Sequence, residues 1–180
     1  MDRTDSLQSG TRCTPAAIHS TVSLLLCAVL GGAGVLHRRL KHIGQAKTLY
    51  VSLAWTGVCV GLPWLGLAGP HEPKTGLGLA ALLFPAFAAN LVASNLRDDE
   101  THWLRDRPAA ALHVARALAV AGLVAALLGP AETRPFAWIP AALAVALAAY
   151  RPTEHYGHLA VDGALLLGTL VTTIELAGQA

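Results

Sequence analysis

The residues best able to do chemistry stand in one run, from Ser94 to Arg107. It holds four of the chain's eleven acids (Asp98, Asp99, Glu100 and Asp106), three of its thirteen Lys and Arg residues and one of its eight histidines. As a helix, the run would place Asn95, Asp98, His102 and Asp106 three or four residues apart on one face. Such a face suits a divalent cation. Hard cations such as Mg2+ take oxygen ligands, usually a couple of carboxylates together with substrate phosphates. The residue one turn after Asp98 is His102, and imidazole suits zinc, iron or manganese better. The competing expectation is a solvated loop whose acids pair with Arg97, Arg105 and Arg107. Spacing alone leaves both open.

Other polar groups stand apart from this run. Arg38-Arg39-Leu40-Lys41 either faces lipid headgroups or grips a diphosphate. Asp162 lies one turn into an apolar segment, where an ionisable group either snorkels to the interface or serves a function. Asn90 falls in the middle of another apolar segment and is expected to face other helices rather than lipid. His102, His113, His155 and His158 could meet across loops, although their spacing matches no metal motif. The sequence contains no G-x-x-x-x-G-K-[ST], H-E-x-x-H, G-x-S-x-G or N-x-[ST]. Cys13, Cys27 and Cys59 are odd in number and form no CxxC, so neither a disulfide nor a zinc framework is implied. Cys27 and Cys59 lie in apolar runs, where a small buried side chain is expected.

What positions these groups is a membrane-type chain. It has 180 residues, 54% of them hydrophobic and only 13% charged, with a mean hydropathy of +0.50. Soluble domains average roughly 25% charged residues. A net charge of +2 gives no case for nucleic acid. Charge clusters between long uncharged runs, which predicts an all-α polytopic membrane bundle of about six helices. Residues 1–16 form a polar, flexible tail without a signal-peptide pattern, and 17–180 form one transmembrane domain.

The expected spans are about 17–36, 49–69, 76–94, 117–130, 136–150 and 159–176. Pro63 is expected to kink the second. Pro108 to Arg116 is only half apolar and is expected to lie at the interface ahead of the fourth span, with Arg116 snorkelling. Loops 37–48, 95–116 and 151–158 then share one side and carry nine Lys and Arg, against Arg3, Arg12, Lys74 and Arg134 on the other. The positive-inside rule makes the first side cytoplasmic, as in a bacterial cytoplasmic membrane.

Two stretches also resemble a known family. Leu36-His37-Arg38-Arg39-Leu40-Lys41 through Ala54-Trp55, followed by Leu62-Pro63, resembles the basic loop and following span of UbiA-type membrane prenyltransferases. Ala89-Asn90 and then Asn95-Leu96-Arg97-Asp98-Asp99-Glu100-Thr101-His102 resemble that family's second acidic motif, D-x-R-D-x-E-G-D. Val114 to Leu118 and Val161-Asp162-Gly163 fall where the family has similar residues. The resemblance covers about Ala17 to Leu176.

It implies a helical bundle similar to the C-terminal two-thirds of a UbiA-type fold. It further implies Mg2+ held by Asp98, Asp99, Glu100 and His102, a diphosphate held by Lys41, Arg38 and Arg97, and a substrate cavity lined by Asn90, Asn95 and Asp162. An active relative would transfer an isoprenyl group from a diphosphate to an aromatic or lipid acceptor. Here Asn95 and His102 stand where the motif has aspartates, and His37 stands for the loop's tyrosine. The family's first spans and first acidic motif have no counterpart after Met1, which points to a truncated form or a start further upstream. Charge developing on a departing diphosphate needs metal and cations together. The expectation is therefore a membrane protein degenerate in chemistry, which is non-catalytic on its own. The alternatives are an active Mg2+-dependent transferase completed by a second copy or a partner membrane chain, and a small transporter or metal-binding protein.

Overall fold

The computed structural model describes residues 24, 27–28, 31–32, 44–66, 72–97, 106–151, 153 and 156–179. Nearly all are helical, and no strand occurs among the described residues. α1 spans Gly44–Thr56, runs through a π-helical turn, Gly57–Gly61, and continues as α2, Leu62–Gly66. α3 spans Pro73–Arg97 and α4 spans Pro108–Leu128. A 3-10 segment, Ala131–Ala137, feeds directly into α5, Trp138–Ala148. A second π-helical turn, Gly157–Asp162, opens α6, Gly163–Ala177. Three helices are long and apolar enough to cross a membrane: Pro73–Leu96, Pro108–Leu128 and Leu159–Ala177. The expected first span falls almost wholly outside the described residues. Of it, Leu24, Cys27, Ala28, Gly31 and Gly32 are helical and exposed.

α3 is the centre of the bundle. Half of its apolar window (50%) is buried inside the protein, against 22% for the last helix. It packs most extensively on α4 and also touches α1 and α5. The contact surface is built from small residues: Ala86, Ala89 and Ala93 of α3 meet Ala111, Ala115 and Ala119 of α4, with Leu143 and Leu147 of α5 behind them. On α4 these positions recur every fourth residue, and small side chains at that spacing let two helices approach closely. At Gly122 the approach is closest. A Cβ there would lie 2.8 Å from the Leu82 carbonyl oxygen and 3.2 Å from Pro140. Gly168 does the same where α6 crosses α5, its notional Cβ only 2.6 Å from the Ile139 Cα.

Three sequence expectations change. Pro108 to Arg116 is not a separate interfacial segment. It is the first part of one continuous 21-residue helix with Pro108 in its first turn, where the missing N–H costs no hydrogen bond. The charge of Arg116 does not break this helix because its guanidinium caps the end of α5. Nε donates to the Leu147 carbonyl at 2.9 Å and Nη2 to the Ala148 carbonyl at 3.0 Å. The terminal carbonyls of a helix need such a donor, and a cation there also meets the favourable end of the helix dipole.

The fifth apolar stretch is α-helical over only 11 residues, preceded by seven 3-10 residues. Together they rise about 30 Å along the chain. Cys27 and Cys59 are exposed rather than buried. In a bilayer the outside of a bundle is as apolar as its inside, so a thiol gains nothing by facing inward. The irregularity expected at Pro63 takes the form of the π-helical turn just before it, a common way to absorb a lost backbone donor.

Polar side chains tie one end of the bundle together. Tyr150 donates its hydroxyl to the Ala93 carbonyl at 3.0 Å. Tyr156 donates to the Ala146 carbonyl at 2.8 Å. The two rings meet edge to face, centroids 6.1 Å apart. At the opposite end, Thr172 donates to the Pro135 carbonyl at 2.9 Å, and Trp138 Nε1 donates to Glu175 Oε2 at 2.8 Å. The start of α1 and the end of α3 lie at the Tyr150 end, bringing together helix termini that adjoin the basic loops.

Candidate functional site

α1 and α3 run antiparallel in a register set by two contacts. Near the Tyr150 end, Lys47 Nζ donates to Asn95 Oδ1 at 3.4 Å, a long bond at the edge of the useful range. Eight residues further along α1 and eight back along α3, Trp55 meets Phe87, ring centroids 6.5 Å apart and tilted by 46°. Eight helical residues rise about 12 Å, so the aromatic pair lies well inside the bundle. Along the same stretch α1 buries Thr48 and Ser52, and just past Trp55 it buries Thr56, each one turn from the last. Ser52 donates to the Thr48 carbonyl at 2.7 Å and Thr56 to the Ser52 carbonyl at 2.8 Å. Such back-bonding satisfies hydroxyls within their own helix. The Thr48 hydroxyl itself meets no hydrogen-bond partner among the described residues.

Beside the aromatic pair lies a cavity of about 450 Å³. Trp55 of α1, Phe87, Asn90 and Leu91 of α3, and Asp162 with Leu165 and Leu166 line it. Phe87, Asn90 and Leu91 fall on one face of α3 because they are three and four residues apart. The π-helical turn that ends at Asp162 packs on α3, which brings that acid to the cavity wall. Asn90 Oδ1 is buried and meets no hydrogen-bond donor among the described residues. A buried acceptor left in this state costs on the order of 1–3 kcal/mol. The cavity is therefore apolar along most of its wall and acceptor-rich at one place.

The expected site residues divide into three groups. Asn90 and Asp162 line the same cavity. Asn95, expected with them, does not line it. It is 4% exposed and turned against α1, where Lys47 reaches it. Arg38, Lys41, Asp98, Asp99, Glu100 and His102, expected to hold diphosphate and metal, lie outside the described residues, and Arg97 is the last residue of α3. Among the described residues no group of three His, Cys, Asp or Glu could hold a metal ion. Of the four histidines that could meet across loops, His113 is exposed on α4, while His102 and His155 lie outside the described residues.

Sequence reading missed two features. One is Lys47, read as loop charge but placed on Asn95. The other is the Thr48, Ser52 and Thr56 stripe, whose spacing of four was visible and marks a buried polar ridge.

What this arrangement can do is hold an amphiphilic molecule: an apolar chain along the leucines and rings, and a polar head at Asn90 and Asp162. No protein-family model, curated protein or solved structure matches the chain.

Proposed function

We propose that the chain is an integral membrane protein of UbiA-like descent that crosses the bilayer six times and binds an amphiphile without catalysing prenyl transfer. Its charged loops face the cytoplasm of a bacterial cell, as their excess of Lys and Arg implies. The observation that carries the non-catalytic reading is the contact between Lys47 and Asn95. Asn95 stands at the first acidic position of the resembled motif. It is a neutral amide, it is buried, and its oxygen accepts from an ammonium group. A Mg2+ ion at that position would lose a carboxylate ligand and meet a like charge instead. The remaining acids would have to bind metal and diphosphate alone.

Equilibrium binding of farnesyl diphosphate to the full chain in phosphatidylcholine nanodiscs, with and without Mg2+, tests this reading. The expected result is no Mg2+-dependent binding and no change on Asp98→Ala. Mg2+-dependent binding that Asp98→Ala abolishes would overturn it and restore the transferase reading.

A further inference from the structure

α4 and α5 stop at different heights on the side of the basic loops, and cations line the step between them. Arg116 donates to the carbonyls of Leu147 and Ala148 at the end of α5, so these three residues share one level. Above that level α4 continues through Pro108 to Ala115, a rise of about 12 Å. The step is open: Ala148, Ala149 and Arg151 beside the end of α5 and His113 on α4 are all exposed. His113 stands one turn above Arg116 on the same side of α4. A guanidinium carries five N–H donors. The two carbonyls take two of them and leave the rest to spare, and because carbonyls are neutral Arg116 keeps its full charge. Neither Arg116 nor Arg151 forms an ion pair among the described residues. Asp106 lies beyond the start of α4, away from the step. Unpaired cations at the end of a membrane bundle call for an anion. Tyr150 and Tyr156, whose rings meet at this end, mark the level as that of lipid headgroups, where such amphipathic rings collect.

We propose that this step is a binding site for one anionic phospholipid. Its phosphodiester meets the spare N–H groups of Arg116, with Arg151 and His113 beside it. Its acyl chains run down α4 along the exposed Val120 and Val124, one and two turns below Arg116. A planar guanidinium held in place by two carbonyls suits the paired oxygens of a phosphodiester. A zwitterionic lipid carries its own ammonium beside the phosphate and brings no net charge, so the step selects headgroups that are negative overall. This site rests on membrane insertion alone. It needs neither the resemblance to a prenyltransferase nor the cavity around Asn90.

The test is titration of the full chain in dodecylmaltoside with dioleoyl phosphatidylglycerol, read by native mass spectrometry as the affinity of the first bound lipid. Dioleoyl phosphatidylcholine, matched in its chains, is measured alongside. Phosphatidylglycerol is expected to bind at least about tenfold more tightly. Arg151→Gln removes an exposed cation with no partner, so the unfolding midpoint should not move. It is expected to weaken phosphatidylglycerol about fivefold, as loss of one cation near a lipid headgroup does, and to leave phosphatidylcholine within about twofold. Arg107→Gln removes a cation from the top of the same helix, away from the step, and should change either lipid less than about twofold. Arg116→Gln is expected to abolish the preference and also to lower the midpoint by uncapping α5, so Arg151→Gln decides. Inorganic phosphate at matched ionic strength should not displace the lipid. Equal affinity for the two lipids, a preference that survives Arg151→Gln, an equal loss in Arg107→Gln, or displacement by inorganic phosphate would each overturn the proposal. Mg2+-dependent binding of farnesyl diphosphate in the companion experiment would revise the non-catalytic reading and leave this one standing.

Discussion

α6 and the π-helical turn before it separate two cavities of similar size and different chemistry. On one side, Ala160, Gly163, Ala164 and Leu167 face Trp138 and Val145 of α5 across about 510 Å³. On the other, Asp162, Leu165 and Leu166 face Trp55, Phe87 and Asn90 across about 450 Å³. The periodicity of the helix explains the division, since residues offset by one or two positions point to opposite sides. The first cavity is the larger, yet its one polar side chain, Trp138, already donates its indole N–H to Glu175. Lipid chains fill such a space as well as any ligand would. The second holds the Asp162 carboxyl and the Asn90 amide oxygen, and the latter meets no donor among the described residues. Volume at the surface of a membrane bundle therefore says little about binding. The polar groups in a cavity wall decide what it can select.

Three substitutions break or sharpen this comparison. The largest effect is expected at Gly168, where α6 crosses α5 beside the apolar cavity. Its Cβ would lie 2.6 Å from the Ile139 Cα and 2.8 Å from the Trp138 carbonyl oxygen, contacts that only a backbone shift relieves. Gly168→Ala should cost about 1–3 kcal/mol, the usual range for overpacking a tight contact, read as a lower midpoint in detergent unfolding. A midpoint equal to that of the natural chain would show that the crossing is loose.

Next in size is Asn90→Leu. It removes a buried acceptor that meets no donor among the described residues, so the protein should gain about 1 kcal/mol, read as a higher unfolding midpoint. A lower midpoint would mark Asn90 as a packing residue instead. The smallest effect is expected from Ala142→Leu, which partly fills the apolar cavity. Its effect on the unfolding midpoint should add to that of Asn90→Leu within about 0.5 kcal/mol, since changes at separate, unshared sites are close to independent. A larger departure from additivity would mean that the two sides of α6 are coupled.

Several features of fold and site were legible in the sequence for plain physical reasons. The uncharged runs around Leu82 and Leu165 could be helices in a membrane because their length and hydropathy match a bilayer. Asn90 could be placed at a helix contact because an amide facing lipid is costly. The start of α1 and the end of α3, which adjoin two of the basic loops, lie at one end of the bundle.

Other features were hidden. The run from Pro108 to Arg116 looked too polar to cross a membrane, because the partner of Arg116 is a pair of carbonyls on α5 rather than water. Lys47 looked like loop charge, because its partner stands two helices away in the chain. The acidic run that dominates the sequence lies outside the described residues over Asp98 to Arg105, so the site built here rests on Asn90 and Asp162 instead.

By itself, the sequence determined the class of the fold and the apolar runs long enough to cross a bilayer. Apolar composition and run length are local properties, and in a bilayer a helix satisfies its own backbone. Tertiary structure alone decided which polar groups meet. Asn90 and Asp162 lie far apart in the chain, and no periodicity relates them. They share a cavity because small residues along α3, α4, α5 and α6, from Ala89 to Gly168, set how closely the helices approach and at which depth they cross.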